Sequence, residues 1–513
     1  MPDLNLYILS CLIFWPIIGA ILVALLPGRV AREAAFVVAL LNFIFSLHLV
    51  QYWNYTASGY QFEASTPWIP KFGINYHLGV DGLSVLLILL TTFLAPLVIL
   101  ASWNSVQKHV KTFFICLLLL EAALCGVFTA LDLILFYVFY EAVLVPIYLL
   151  IGIWGGPGRI YASIKYFLAN FLGSVLMWLA MFYIYFHQQG AQRSFDYTAF
   201  VESAKSLDGS AVSLWLFAAF AIAFAIKSAL FPLHTPAPDA YGEAPTAGSV
   251  FLSAVLAKIG TYGFLRFVLP SFPEVSTYAA PTMVMLGLIA VIYGAMIAVM
   301  QKDFKRTIAY SSISHIGLIV AGIFGALLAG ESAGINFSQV ALSGASLQMF
   351  NHGISTAALF ILLGILHERR GTTAISHFGG LAKPMPRFAV LFWIALFSSI
   401  GLPGLNGFIG EYLLLQGLMS AQLLYAALGA TGVILGAVYM LKLSRNLLFG
   451  EITEEANRAL PDVNRRETFV VALLLLVALW VGVRPQSFLN FINPDTAKIT
   501  QSATQSSVEL AQR

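Results

Sequence analysis

The sequence predicts an all-α integral membrane protein with about fourteen transmembrane helices. The chain of 513 residues is 59% hydrophobic and only 10% charged, and its mean hydropathy is +0.85. Soluble domains carry roughly 25% charged residues, so a water-soluble fold of this length could not cover its surface with so few charges. Long apolar stretches recur along the whole chain. These observations exclude a nucleic-acid-binding protein, a secreted enzyme and a conventional cytosolic catalyst.

The apolar stretches are long enough to cross a bilayer, for which about 20 residues are needed. We number them as predicted spans 1 to 14, and they cover residues 4–27, 31–53, 80–102, 112–130, 133–155, 162–187, 212–232, 247–270, 281–300, 307–329, 340–366, 388–415, 421–447 and 467–485. Asp3, rather than basic residues, precedes span 1. We therefore expect span 1 to be a retained helix and not a signal peptide.

The basic residues test this number of spans and orient them. Most lysines and arginines outside the spans lie in loops that follow odd-numbered spans, whereas loops after even-numbered spans hold only Lys71, Arg193, Lys205 and Arg266. Because cytoplasmic loops carry the excess of Lys and Arg, the odd loops are predicted to face the cytoplasm. Both termini would then lie on the outer, periplasmic side.

Several ionisable residues lie inside the apolar spans. Lys227 and Lys258 lie within spans 7 and 8, Glu141 and Glu411 within spans 5 and 12, and Glu121 in span 4 is a further candidate. A charge at mid-bilayer costs on the order of 2.5–3.5 kcal/mol, so each such residue needs a partner, water or a function. The plainer alternative for any one pair is a static buried ion pair that fixes helix packing.

Two histidines extend this set. His315 and His352 lie in the cores of spans 10 and 11, although a single buried histidine is more often a hydrogen-bonded core residue. A chain of titratable groups that can shift one another's protonation is what a proton relay requires, and we predict one that runs along the membrane plane. Lys165 and Lys442 lie near span ends, where their stems can reach the interface, and we expect them to be structural.

Spans 7 and 12 are predicted to be broken. Pro232 follows Lys227 by five positions, and residues 401–407 read GLPGLNG. Proline removes a backbone donor, and in lipid the freed groups are tolerated only where protein or water satisfies them. Corresponding breaks five spans apart predict two inverted repeats. The predicted division is residues 1–111 (spans 1–3), 112–270 (spans 4–8), 281–447 (spans 9–13) and 448–513 (span 14 and the tail).

No motif for a cofactor or a metal is present in the sequence. Cys11, Cys116 and Cys125 lie in apolar runs without a CxxC pattern, so we expect buried thiols. The chain has no Gly-rich phosphate loop after a strand and no GxSxG motif. We therefore expect no redox chemistry in this chain itself.

Several motifs together resemble the antiporter-like subunits of respiratory complex I. The stretch 227–267, which begins KSALFPLH, carries the resemblance, and residues 301–317 (QKDFKRTIAYSSISHIG) add to it. Residues 139–155, 349–370 and 402–411 are most similar to the subunit M branch of NADH–quinone oxidoreductase. The resemblance covers nearly the whole chain.

This resemblance implies a proton-translocating subunit of a translocase, driven by quinone reduction elsewhere in the complex. FMN, iron–sulfur clusters and quinone would be held by other subunits. The implied partners are the other membrane subunits, including the sister antiporter-like subunits, together with the lipid bilayer and protons, but no nucleic acid. The implied location is the bacterial inner membrane.

The resemblance also assigns residues to the relay, with exit expected at the outer face near Glu411. The implied members are the span 5 glutamate Glu141, the paired lysine Lys227, the central lysine Lys258, the bridging histidines His315 and His352, the terminal acid Glu411, and His234 in the loop after span 7. The segment after His234 departs from the family pattern, with Pro236 and Tyr241 where Trp and His are usual, so a titratable role at position 241 is not implied.

Three alternatives remain open on the sequence. The same fold serves subunits of multi-chain sodium/proton antiporters and of membrane-bound hydrogenases, which sodium dependence would distinguish. The chain could also be a non-conducting scaffold, in which case removal of buried charges would lower assembly and not coupling. A quinone-reducing subunit is disfavoured because nothing in the sequence would deliver electrons.

Overall fold

Long apolar helices make up most of the structure, a computed structural model that describes residues 2–56, 59–189, 193–332, 334–452 and 454–512. The helices of the first half are α1 Pro2–Leu25, α2 Ala31–Gln51, α3 Gly82–Ala101, α4 Val110–Thr129, α5 Leu133–Trp154, α6 Arg159–Phe186, α7 Tyr197–Leu207, α8 Ser213–Lys227 and α9 Pro236–Glu243. Those of the second half are α10 Thr246–Ser271, α11 Pro273–Met300, α12 Phe304–Gly325, α13 Phe337–Arg370, α14 Pro386–Ser399, α15 Asn406–Ala421, α16 Leu423–Leu448, α17 Arg465–Val483 and α18 Gln486–Gln512.

The helical membrane class predicted from composition is confirmed. Within the described residues, twelve helices are long and apolar enough to cross a bilayer, and α8 and α14 are shorter apolar helices. The total of fourteen spans, the two inverted repeats and the domain boundaries stay predictions. The chain is therefore a multi-pass membrane protein.

Both predicted helix breaks are present. Helix α8 ends at Lys227, and a helix begins again only at Pro236. Helix α14 ends at Ser399, and α15 begins at Asn406. The intervening residues are irregular backbone, which is tolerated inside a bilayer only where neighbouring protein or water satisfies the freed groups.

Two short β-hairpins are an exception to the all-α prediction. Strands β1 Gln61–Ile69 and β2 Ile74–Val80 pair antiparallel, with Thr66 opposite Tyr76. Strands β3 Glu331–Ser332 and β4 Ile335–Asn336 form a smaller hairpin in the loop before α13. The search for long apolar runs passed over these segments because they are short and largely polar. Helix α7 and most of α18 were missed because they are largely polar.

Loops that follow odd-numbered spans lie together on one face of the bundle. The Lys111 Nζ donates to the Ala24 carbonyl at 2.6 Å, and the Lys305 Nζ donates to the Ala244 carbonyl at 2.9 Å. Each of these hydrogen bonds joins two loops that follow odd-numbered spans, or the helix ends beside such loops. We call this surface the odd face.

Loops that follow even-numbered spans meet on the opposite surface, which we call the even face. The Ser194 hydroxyl donates to the Gly73 carbonyl at 3.1 Å, and the Glu274 amide donates to Asp208 at 2.7 Å. The C-terminal helix α18 lies there too, since its Asp495 accepts a 2.7 Å hydrogen bond from the Gly82 amide. Loops after odd-numbered and even-numbered predicted spans thus lie on opposite faces, as alternating spans require. The assignment of the even face to the outside stays a prediction.

One charged residue lies elsewhere than predicted. Arg266, assigned above to the loop after span 8, lies inside α10, where only 7% of it is exposed, and forms a 2.9 Å ion pair with Asp81. The loop assignment is wrong, because Arg266 falls within predicted span 8 (247–270) and the helix continues to Ser271. A buried arginine of this kind needs a charged partner, which a sequence pattern does not reveal.

Helix α10 packs tightly against the end of α8 at Gly260. A Cβ atom at this position would lie 2.4 Å from the Phe224 carbonyl oxygen and 2.7 Å from Ser228. We expect Gly260→Ala to reduce the amount of assembled protein, because such overpacking costs about 1–3 kcal/mol. Gly152→Ala is the matched control, since its Cβ would lie 3.5 Å from Ser163, an ordinary contact. Equal levels of the two variants in membranes would contradict this prediction.

Candidate proton relay

Lys258 lies at the centre of the buried polar residues. Only 1% of it is exposed. Its Nζ donates to the Ser253 carbonyl at 2.5 Å and is 2.6 Å from the His352 Nδ1. Ser253 belongs to the π-helical turn Leu252–Leu256, one of two such turns in α10, and π-turns inside helices are frequent at functional sites. The local widening of the helix thus presents a carbonyl to the lysine.

His352, His315 and Glu411 follow Lys258 as a series of neighbouring side chains. The ring centroids of His352 and His315 are 5.3 Å apart. The His315 Nδ1 lies 3.2 Å from the Glu411 Oε1. Each histidine keeps a buried Nε2 without a hydrogen-bond partner among the described residues. The two rings therefore retain nitrogen positions that can accept or release a proton.

Glu411 ends this series in a confined site. Only 4% of it is exposed, and the Gln348 Nε2 donates to its Oε1 at 3.4 Å. Gly401 has a φ of +75°, and a Cβ there would lie 2.6 Å from the Glu411 Oε2. Beside the carboxylate is a cavity of about 10 Å³ lined in part by Ser314 and Ser399. This is room for about one water molecule.

Lys227 lies at the broken end of α8, next to the Tyr140–Glu141 segment of α5. Only 2% of the lysine is exposed, its Nζ donates to the Tyr140 carbonyl at 3.4 Å, and it lies 4.3 Å from the centroid of the Tyr140 ring. Glu141 has a buried Oε1 with no hydrogen-bond partner and interacts electrostatically with Lys227, but no ion pair within 4.0 Å joins these two residues. The predicted partners are neighbours that form no direct ion pair.

The structure brings the predicted relay residues into two groups. Lys258, His352, His315 and Glu411 form the central series. Lys227 and Glu141 form the second group, which we call the entry pair, and the two residues are not hydrogen-bonded to each other. The two groups meet where Gly260 packs against Ser228. Tyr140, which directly precedes Glu141, also belongs to the surroundings of the entry pair. The sequence analysis did not identify it.

His234 lies outside both groups. It is 4% exposed, its ring packs against Phe231 and Tyr293 with centroids 5.6 and 5.1 Å apart, and its Nδ1 has no hydrogen-bond partner. Its place in the relay stays a prediction.

The other buried or flanking groups have identified contacts. The Lys165 Nζ pairs with Asp239 at 2.7 Å, and the exposed Lys442 donates to the Val299 carbonyl at 2.8 Å. Glu121 is fully buried in α4 and accepts a 2.8 Å hydrogen bond from Asn42. The Tyr241 hydroxyl donates to the Leu252 carbonyl at 3.2 Å, so it satisfies a group of the π-turn.

The cysteines are unpaired, and no metal cluster is found in the described part of the chain. Cys116 and Cys125 are buried, as expected, whereas Cys11 is half-buried. Among the residues that the structure describes, no group of three His, Cys, Asp or Glu side chains could hold a metal ion.

Comparison with known families identifies the class of protein. The profile described as NADH:quinone oxidoreductase/Mrp antiporter, TM, matches residues 130–436, and the profile described as NADH-ubiquinone oxidoreductase chain 4, amino terminus, matches residues 9–127. The chain therefore belongs to this antiporter-like family of membrane proteins.

Individual relatives narrow the assignment. The chain is 41% identical over 493 residues to NADH-quinone oxidoreductase subunit M of Rickettsia prowazekii, covering 95% of this chain and 97% of the relative. It is 40% identical over 510 residues to subunit M of Rhodobacter capsulatus, covering 96% of each. Within the family the chain thus belongs with subunit M. This confirms the predicted family and the predicted function, a proton-translocating membrane subunit of complex I.

Solved structures agree with this assignment. A chain of respiratory complex I from Thermus thermophilus with bound NADH superposes with a TM-score of 0.84 at 30% identity, covering 96% of this chain and 99% of that one. A chain of the Mrp complex from Dietzia sp. DQ12-45-1b superposes with a TM-score of 0.83 at 20% identity, covering 98% and 99%. The second likeness shows the shared fold alone.

Proposed function

We propose that the chain moves protons through its buried Glu, Lys and His residues while other subunits of the complex reduce quinone. The observation that carries this proposal is the series of neighbours from Lys258 through His352 and His315 to Glu411. The Lys258 Nζ is 2.6 Å from the His352 Nδ1, the two ring centroids are 5.3 Å apart, and the His315 Nδ1 is 3.2 Å from the Glu411 Oε1. All four side chains have little solvent exposure and lie inside an apolar helix bundle. Such charges are costly in a membrane unless they are used.

The entry pair acts as a charge switch. Glu141 stabilises the charged form of Lys227 across the gap between them, and movement of Glu141 away from Lys227 weakens that stabilisation. Two unit charges about 7 Å apart interact by roughly 2.4 kcal/mol at an effective dielectric constant near 20. Loss of this interaction drives the Lys227 proton toward Lys258, from where the histidines carry it to Glu411.

The chain works as one member of an assembly. We place it in the bacterial inner membrane, beside sister antiporter-like subunits, with the even face and both termini on the periplasmic side. Redox cofactors belong to other subunits, and this chain takes part in the translocase reaction only by moving protons. Its charge switch is set by an electrostatic change in the neighbouring subunit.

The test is a Glu141→Gln variant in inside-out membrane vesicles, with NADH-driven quinone reduction and proton uptake followed together, with and without sodium. We expect both activities to fall severalfold while the complex stays assembled, because glutamine cannot supply the charge that holds the Lys227 proton. Glu121→Gln is the matched control, since Glu121 is also a buried span glutamate with an amide partner but lies outside both groups.

Three outcomes discriminate the alternatives. Unchanged pumping in Glu141→Gln would remove the first step of the proposed relay. Intact NADH oxidation and NADH-driven pumping with collapsed sodium/proton exchange would assign the chain to an antiporter. Poor assembly with normal pumping per assembled complex would assign a scaffold role.

A further inference from the structure

A buried cluster of amides and hydroxyls lies at the second helix break, between α14 and α15. Its members are Asn406, the first residue of α15, Ser398 near the end of α14, and Asn351 and Ser355 of α13. At most 4% of any of these residues is exposed. We call this cluster the amide clamp. Its hydrogen bonds decide how the two sides of the break are joined, since buried polar groups need partners.

The Asn406 side chain reaches across the break. Asparagine at the start of a helix commonly accepts a hydrogen bond from an amide of its own first turn. Here the Asn406 Oδ1 accepts from the Ser398 hydroxyl at 2.6 Å, and its Nδ2 donates to the Asn351 carbonyl at 3.0 Å. Within the described residues, every hydrogen bond of this side chain goes to α13 or α14. Asn406 therefore joins both sides of the break to α13.

Asn351 and Ser355 complete the clamp from α13. The Asn351 Nδ2 donates to the Asn406 carbonyl at 2.8 Å, so the two asparagines are joined by hydrogen bonds in both directions. The Ser355 hydroxyl lies 2.6 Å from the Ser398 hydroxyl and 3.2 Å from the Asn406 Nδ2. Two bonds between the same residues fix their orientation as well as their distance.

The clamp is connected to Glu411 in two ways. Glu411 lies five residues after Asn406 in the same helix. In addition, the Asn351 Nδ2 donates to the Gln348 Oε1 at 3.4 Å, and the Gln348 Nε2 donates to the Glu411 Oε1 at 3.4 Å. Asn351 also directly precedes His352 in α13. The clamp therefore adjoins both the terminal acid and one histidine of the relay.

Two glycines let the start of α15 approach its neighbours closely. A Cβ at Gly407 would lie 2.3 Å from the Ser398 carbonyl oxygen, and a Cβ at Gly410 would lie 2.2 Å from the Gln348 Oε1. A larger residue at either position would displace one of these atoms. Because Glu411 directly follows Gly410, any shift of this part of α15 also moves the carboxylate.

We propose that Asn406 is a positioning residue for the terminal acid of the relay. With Asn351 and Ser398 it holds α15 where the Glu411 Oε1 lies 3.2 Å from the His315 Nδ1. Proton transfer needs heavy atoms about 2.6–3.2 Å apart, or one intervening water, so this placement decides whether Glu411 can accept a proton. The inference rests on the proposed relay.

The clamp consists of uncharged side chains alone. Amides and hydroxyls of asparagine and serine donate and accept hydrogen bonds without gaining or losing a charge. Loss of Asn406 therefore changes where Glu411 lies and leaves the titratable groups of the relay as they are. This separates Asn406 from Glu411 itself, whose replacement removes a titratable group.

The test is Asn406→Leu, alone and combined with Glu411→Gln, in the assembled complex in inside-out vesicles. Leucine has nearly the shape of asparagine but its side chain forms no hydrogen bonds. NADH-driven proton uptake, and quinone reduction with an uncoupler present, are measured per assembled complex. We expect Asn406→Leu to lower proton uptake severalfold and to leave uncoupled quinone reduction intact. It should cause no further loss where Glu411→Gln is already present, because residues that act through one another are not additive.

Asn457→Leu is the matched control. Asn457 is also a fully buried asparagine whose Nδ2 donates to a backbone carbonyl, that of His377 at 2.9 Å, but it lies on the odd face. We expect it to take up protons at the parent rate per complex. Ser398→Ala is the second variant should Asn406→Leu not assemble, since it removes one hydroxyl that donates to Asn406. We expect a smaller loss of proton uptake, again absent in the Glu411→Gln background.

The remaining outcomes separate the positioning role from the relay. Losses that multiply in the double variants overturn the positioning role, because Asn406 would then act independently of Glu411. Parent-rate uptake in Asn406→Leu and Ser398→Ala, with loss in Glu411→Gln, overturns the positioning role alone. Parent-rate uptake in Glu411→Gln overturns the relay on which it rests.

Discussion

Replacement of Lys258 by methionine is expected to abolish proton pumping while the complex remains assembled. The Lys258 Nζ is the shared partner of the Ser253 carbonyl and the His352 Nδ1, so its loss disconnects the histidines from the entry pair. Methionine fills a similar volume without a charge. The unpaired Ser253 carbonyl costs about 1–3 kcal/mol, which a bundle of this size can tolerate.

Vesicle pumping and uncoupled quinone reduction, normalised to assembled complex, measure this effect. Lys442→Met is the matched control, since Lys442 also donates to a backbone carbonyl, that of Val299, but lies exposed on α16. The control is expected to pump normally. Pumping at the parent rate in Lys258→Met would exclude Lys258 as the centre of the relay.

Sequence patterns identified the buried charged residues better than the contacts between them. Charges such as Lys258 and Glu411 stand out against apolar spans because their cost in lipid is a local property of the sequence. Distances between them depend on how helices pack, which no span shows alone. The gap between Glu141 and Lys227 and the close contact of Lys258 with His352 were therefore visible only in the structure.

The buried ion pair of Asp81 with Arg266 was missed for a related reason. Its two residues come from distant parts of the chain, and each lies near the end of an apolar stretch, where a charged residue resembles an ordinary loop residue. The signal that could have found Arg266 was its spacing of four residues from Tyr262 and eight from Lys258. The two helix breaks, by contrast, were predictable because proline and glycine act on the local backbone.

Glu411→Gln is expected to lower coupled pumping severalfold and to leave uncoupled quinone reduction intact. The His315 Nδ1 and the Gln348 amide both approach the Glu411 Oε1, at 3.2 and 3.4 Å, so the carboxylate is the only acid at the end of the histidine pair among the described residues. Glutamine keeps the shape and one acceptor oxygen but cannot take up a proton. Protons that reach His315 would then have no acceptor, and the next transfer from Lys258 would be blocked.

Glu467→Gln is the matched control for that measurement. Glu467 is a buried glutamate, 8% exposed, that pairs with Arg369 at 2.7 Å on the odd face, away from the histidines. Its replacement removes an ion pair and lowers the yield of assembled complex, but pumping per complex should stay normal. If Glu411→Gln instead pumps at the parent rate while Lys258→Met does not, the relay does not pass through Glu411, and the histidine pair serves packing alone.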